Sequence, residues 1–502
     1  MPSTPAIART PAIMVQGTGS NVGKSVLCAG IARALVRRGM RVQPFKPQNM
    51  SNNAAATEDG GEIGRAQALQ ALACRELTSV HMNPVLLKPE TDTGSQVIVQ
   101  GKRLATSRAR DYWRLKGELL PKVLESFEHQ CGRADIVIVE GAGSPAEVNL
   151  RAGDIANMGF AEAAKLPVVL VGDIERGGVI ASLAGTHLVL PDADRGRIKA
   201  FAVNKFRGDP TLFDDGVVEI SERTGWPSLG VIPWFPESRL LPGEDTLDLS
   251  RPGTTKGAIK IAAFAFNRIA NFDDLDPLRH DPNVTFTLVT EGDVLPTDCD
   301  LVILPGSKST VSDLAHMRRE GWDVDLLAHV RRGGRVLGLC GGYQMLGNAI
   351  SDPDGIEGAP GTVNGLKLLA VETTLTPQKV TRPVSGTLAV TGEPVEGYEI
   401  HIGVTEGPDR KKPLFEIAGQ PEGAISANGL VQGTYVHGLF ARDACRARFL
   451  AALMDARLEA FAYEQTVDRT LDKLADHLET HLDLDALLDI AGYKAARATI
   501  PA

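Results

Sequence analysis

One nine-residue run limits the fold more than any other feature of this chain: GTGSNVGKS, residues 17–25. It follows the apolar segment AIMVQG (12–17) and precedes a helical pattern from Ser25 to Arg38. Glycines let the backbone wrap an anion, and a helix N-terminus adds unpaired N–H groups and a positive dipole end. A strand–loop–helix unit of this kind needs a parallel sheet behind it and a cleft beyond the strand's carboxyl end. Gly17, Thr18, Gly19, Asn21, Gly23, Lys24 and Ser25 are therefore the candidate ATP-binding residues. Lys24 suits the β- and γ-phosphates, and the Ser25 hydroxyl suits Mg2+. The spacing departs from a strict GxxxxGK[ST], because Thr18 stands where the first glycine belongs and Gly17 comes one residue early.

The strand pattern recurs at DIVIVEG (135–141), LPVVLVGD (166–173), IKAFAVNK (198–205) and LGVIPW (229–234). Most of these runs are apolar on both sides, as strands buried within a parallel sheet are. Helical patterns such as Gly64–Leu77 lie between several of them, which predicts an α/β domain. Glu140 ends one strand and is a second candidate for Mg2+. Asp173 and Arg176 follow another strand, in VGDIERGG, and are candidate substrate contacts. The amide-rich run KPQNMSNN contributes Gln48, Asn49 and Asn52 as further candidates, with a solvated loop as the competing reading.

With 502 residues, the chain is too long for one core. The stretch PESRLLPGEDTLDLSRPGTTKG (236–257) has loop punctuation and little periodicity. An α/β pattern then restarts with AIKIAAFAF (258–266), VTFTLVT (284–290), DLVILPG (300–306) and RVLGLC (335–340). The expected plan is a P-loop domain over 1–240, a linker over 241–257, a second α/β domain over 258–450 and a helical tail over 451–502.

RVLGLCGGYQMLG places Cys340 between an apolar strand and a helix, flanked by Gly341 and Gly342. That is a nucleophile elbow with cysteine as the nucleophile, and the helix N-terminus favours a thiolate. His437, in GTYVHGLF, is the candidate base, with His401 in GYEIHIG as its rival. The backbone N–H groups of Gly306 and Gly341 are candidates for an oxyanion hole.

The net charge of −9 argues against nucleic acid as the main partner. Six cysteines without a CxxC spacing give neither a zinc motif nor a disulfide framework. The expected setting is cytoplasmic, because no apolar run approaches a membrane span and the first residues lack a signal-peptide core.

GTGSNVGKS and VEGAGS make the first half resemble the dethiobiotin-synthetase-type P-loop amide ligases. LPGSKST, GLCGGYQMLG and YVHGLF make the second half similar to class I glutamine amidotransferases. The combination, with KPQNMSNN, EIGRAQALQALAC, VEGAGSPAEVNLR, DIERGGV and RIANFDDLDPL, resembles the cobalamin-biosynthesis amidotransferase family over about residues 12–450. The resemblance implies ATP- and glutamine-dependent amidation of the b, d, e and g carboxylates of adenosylcobyrinic acid a,c-diamide. Its partners would be small molecules only: the corrinoid, glutamine and ATP. The competing readings are amidation of other corrinoid carboxylates, as by an a,c-diamide synthase, and a regulatory P-loop ATPase with a binding-only amidotransferase fold. In most triad amidotransferases a glutamate follows the histidine by two residues, but Leu439 stands there. A carboxylate from elsewhere, such as Glu399, or a Cys–His dyad is then expected.

Overall fold

The chain, seen in a computed structural model, is described over residues 10–90, 94–244, 256–454 and 458–494. Strand β1 (Ala12–Gly17) runs into the phosphate loop and then helix α1 (Lys24–Arg37). β1 lies near the middle of a six-stranded, all-parallel sheet. The order is Ser228–Pro233, Ile198–Phe206, Val168–Asp173, β1, Ile136–Glu140 and strand β2 (Val42–Phe45). β1 is buried on both faces because its alternate residues serve two cores. Ile13 and Val15 pack with Leu27 and Ile31 of α1, while Ala12 and Met14 join Phe45, Phe127 and Phe160. This is the physical content of its unbroken apolar sequence.

The second sheet carries the nucleophile. Five of its strands are parallel, in the order Val284–Val289, Ile259–Phe264, Leu301–Leu304, Arg335–Leu339 and Val431–Thr434. A long antiparallel hairpin, Glu372–Leu388 with Pro394–Glu406, lies beside it and pairs with the short strand Val436–His437. Two mixed α/β units in one chain match the predicted fold class.

Three features differ from the sequence reading. The amide-rich stretch is not simply a loop leading into a helix. Gln48–Met50 heads a four-stranded sheet with Val85–Pro89, Gly94–Val99 and Lys102–Arg108. Polar strands this short have no legible period. Much of the expected linker, 245–255, lies outside the described residues. Residues just before it are anchored, with Gly243 accepting from Asn53 Nδ2 at 2.8 Å and donating to Asp276 Oδ2 at 3.1 Å.

The third difference concerns the C-terminal helices. Tyr463–His481 and Leu484–Ala491 belong to the core of the first domain. Leu471, Leu474 and Leu478 recur at helical spacing and pack on α1. Arg33 of α1 is fully buried beneath them and pairs with Asp468. No described helix is long and apolar enough to cross a membrane.

Candidate active sites

The phosphate loop closes tightly on itself. Gly23 takes φ +95°, which a side chain would strain, and an added Cβ there would lie 2.4 Å from the Asn204 amide. Lys24, the first residue of α1, folds back to donate to Gly19 O at 2.9 Å and Gly143 O at 3.1 Å. Burial lowers its pKa, opposed by Glu140. The Ser25 hydroxyl meets two carboxylates, Glu140 Oε1 at 2.8 Å and Glu244 Oε2 at 2.5 Å. The strand ends thus bring Lys24, Ser25 and Glu140 into one cleft. Asp173 flanks it, because Lys205 links Asp173 Oδ2 at 2.8 Å to Asn21 O at 2.5 Å. Arg176 stands apart, exposed on the turn that follows.

Two residues of this cleft escaped the sequence reading. Lys46 follows β2 and bridges Glu140 at 2.8 Å and Glu244 at 3.2 Å. Burial disfavours its charge, but the two carboxylates outweigh that and raise its pKa. The strand-end rule could have found Lys46. Glu244 sits in PGED with no local signal at all. Its carboxyl is held low, because Lys46 and the Ser25 hydroxyl overcome its burial.

The amide run divides. Asn49 Nδ2 donates to Gln67 Oε1 at 3.1 Å, and Gln67 and Gln70 donate to Glu140 at 3.4 and 2.5 Å. Gln67 and Gln70 belong to helix α2 (Arg65–Cys74). Asn49 therefore supports the carboxylate from behind. Gln48 accepts from the Tyr112 hydroxyl at 2.6 Å, and the Asn52 side-chain oxygen has no partner among the described residues.

The second site forms around Cys340. Its backbone takes φ 51° and ψ −108°, a strained conformation for a non-glycine residue. The strain is held in place by the strand Arg335–Leu339 behind it and the helix Gly341–Leu346 ahead. Gly342 permits this packing, since an added Cβ would lie 2.0 Å from Leu304 O. Cys340, His437, His401, Gly306, Gln344 and Lys379 line one pocket. An added Cβ at Gly306 would come within 3.2 Å of His437 Cε1, and one at Gly341 within 2.9 Å of Ser307 N. Both glycines thus border the nucleophile.

His437 is fully buried, and its Nδ1 lies 2.6 Å from Asp274 Oδ2. The other oxygen of Asp274 accepts from Gly438 N at 2.6 Å. Burial works against an imidazolium here, but Asp274, helped by the nearby Cys340 thiol, raises the pKa to about 10. The expected substitute carboxylate, Glu399, does not serve. It pairs with Arg382 at 2.7 Å. Asp274 stands in that place instead, giving His437 a carboxylate neighbour. Leu439 is buried and lines, with Phe440, Phe449 and Leu453, a different cavity from the one that holds the thiol. The rival His401 stacks on Tyr435 at 3.8 Å, and burial, followed by the nearby His437, lowers its pKa to about 4. The run RIANFDDLDPL contains Asp274, but nothing in its spacing marks that residue as the partner of a histidine 163 positions away.

Comparison with known proteins agrees with this two-site layout. The CobQ/CobB/MinD/ParA nucleotide binding domain matches residues 13–247, and the CobB/CobQ-like glutamine amidotransferase domain matches residues 260–445. The cobyric acid synthase of Cereibacter sphaeroides strain ATCC 17025 is 59% identical over 485 residues, covering 97% of this chain and 99% of its own length. That of Bradyrhizobium diazoefficiens is 58% identical over 480 residues, covering 96% and 99%. That of Rhodobacter capsulatus is 62% identical over 444 residues, covering 88% and 92%. The chain belongs to the cobyric acid synthase family. It is a glutamine-dependent amidating ligase of cobalamin biosynthesis, with a nucleotide-binding domain and a glutamine amidotransferase domain.

Proposed function

We propose that the chain converts adenosylcobyrinic acid a,c-diamide to adenosylcobyric acid, amidating the b, d, e and g carboxylates with ATP and glutamine. The observation that carries this reading is the pairing of two complete sites in one chain about 60% identical to a cobyric acid synthase over nearly its whole length. One site is a cradle for phosphates and the other is a thiol with its acid–base partner.

At the second site, Cys340 Sγ attacks the glutamine side-chain amide carbon. The backbone N–H groups of Gly306 and Gly341 face the oxyanion that forms. His437 gives its proton to the departing nitrogen, so ammonia leaves and a glutamyl thioester remains. Water then hydrolyses the thioester, with His437 taking the proton. Asp274 fixes the ring and balances its charge throughout.

At the first site, Gly17, Thr18, Gly19, Asn21 and Gly23 cradle the nucleotide, and Lys24 stabilises charge on the phosphoryl oxygens in transfer. Ser25 and Glu140, with Glu244 beside them, form an all-oxygen donor set suited to Mg2+. When bound there, Mg2+ would neutralise phosphate charge. The corrinoid carboxylate takes the γ-phosphoryl group, giving an acyl phosphate and ADP. Ammonia then displaces phosphate to leave the amide. Asp173, Arg176, Gln48, Asn49 and Asn52 remain candidate contacts for the corrinoid, with Asn49 acting through Gln67.

The test is incubation with ATP, Mg2+, glutamine and a panel of corrinoid carboxylates, read by mass spectrometry. Stepwise conversion of the a,c-diamide to the hexa-amide supports the reading. Amidation confined to the a and c positions of a less amidated corrinoid refutes it.

A further inference from the structure

The groups that hold the catalytic histidine belong to its own domain, but a side chain of the nucleotide domain in turn holds one of them and the neighbour of the other. Tyr398 stacks on the His437 ring, with centroids 5.3 Å apart and planes inclined by 17°. The Tyr398 hydroxyl accepts from Asn271 Nδ2 at 2.9 Å and from Arg65 Nη2 at 2.5 Å. Arg65 is the first residue of α2 and so belongs to the nucleotide domain. Its guanidinium also pairs with Asp273 Oδ2 at 2.6 Å and donates to Ala54 O at 2.9 Å. Asp273 adjoins Asp274, the partner of His437. One side chain from the first domain thus fixes both the ring stacked on the imidazole and the residue next to its carboxylate.

The electrostatics make this contact costly to lose. Asp273, Asp274 and Asp276 lie within four residues, and all three are at least nine-tenths buried. Arg65 is the cation paired with Asp273, its side chain only 15% exposed. A buried carboxylate stripped of its cation either takes a proton or moves toward water. Either response would shift the Asp274 backbone or its field at His437. All three contacts run through the one nitrogen Nη2, so an ammonium in its place could keep only part of them.

We propose that Arg65 is a positioning residue for glutamine hydrolysis, supplied to the amidotransferase domain by the nucleotide domain. The inference rests on the reading of His437 as the acid–base group. It adds that the histidine's orientation is set across the domain interface, through Tyr398 and Asp273. The same helix carries Gln67 and Gln70 to Glu140, so the two sites share one rigid element.

The test compares Arg65→Met, Arg65→Lys and Tyr398→Phe in the full chain. Glutamine hydrolysis gives kcat and KM, and ammonia-driven amidation reports on the first site and on folding. The expected result for Arg65→Met is a ten- to hundredfold fall in kcat for glutamine, with KM and ammonia-driven turnover within threefold of the parent. Arg65→Lys should recover part of the loss. Tyr398→Phe, which keeps the ring and loses only the hydroxyl, should fall in the same direction. A parent-like glutamine kcat in Arg65→Met, or equal loss of both reactions, overturns the proposal. Should Arg65→Met fail to fold, a parent-like kcat in both Arg65→Lys and Tyr398→Phe overturns it equally. His437→Ala, run alongside, separates the two claims: if it hydrolyses glutamine normally, the acid–base assignment fails first.

Discussion

Asp274→Asn isolates the contribution of a carboxylate while keeping its shape. The amide still fills the space and can still touch His437 Nδ1 and Gly438 N, but the negative charge is gone. In the parent the imidazolium is favoured up to a pKa of about 10, against about 6.5 for an ordinary histidine. At about 1.4 kcal/mol per unit, that is a preference of roughly 5 kcal/mol. Asp274 is the largest cause acting in that direction, so most of the preference disappears with its charge. Only the share expressed when the imidazolium forms or donates appears in the rate. The expected loss in glutamine hydrolysis is about 10²–10⁴-fold, the scale on which an orienting aspartate acts in a hydrolytic triad. Ammonia-driven amidation should stay near the parent value, because the phosphate loop is a separate site. The stability of the two proteins should also diverge with pH. His437 has a raised pKa, so its contribution is complete below about pH 6.5 and is lost as the pH rises toward about 10. Urea melts should therefore show Asp274→Asn less stable than the parent near neutral pH, with the gap narrowing toward pH 10. Glutamine turnover by Asp274→Asn within threefold of the parent, with Glu399→Gln inactive instead, would refute the assignment.

Cys340→Ser should abolish glutamine-driven amidation and spare the ammonia-driven reaction, whereas Lys24→Ala should remove both; product analysis with each nitrogen donor checks this pair. Leu474→Ala in the C-terminal helix should destabilise the chain by about 2–5 kcal/mol, measured by denaturant unfolding, because Leu474 is buried against α1. Leu439→Glu, which would restore the glutamate spacing of other triad amidotransferases, should not raise glutamine turnover. It places a carboxylate among Phe440, Phe449 and Leu453, and should lower stability by a few kcal/mol in a thermal or urea melt.

The sequence by itself determined the parts whose chemistry is local. GTGSNVGKS and LGLCGG each join a strand, a turn and a helix start within about ten residues. Backbone sterics and helix ends dictate what such a segment can hold, so the placing of Lys24, Ser25 and Cys340 at strand-to-helix turns was legible. The buried parallel strands were legible for the same reason, since a strand covered on both faces must be apolar throughout. Tertiary structure alone decided the partners. His437 was already the sequence's candidate over His401, but its pairing with a carboxylate 163 residues upstream came only from the packing. Leu439 drew attention to a missing charge without saying where its replacement lay. Glu244 reaches Ser25 from a loop 219 residues away, and Arg65 reaches Tyr398 across 333. The C-terminal helices showed their apolar stripe plainly, yet nothing in a stripe names the surface that covers it, and here that surface is α1. Period and turn chemistry are properties of a short window. Which buried charge meets which counter-charge depends on how separate elements pack, and no window of sequence contains both.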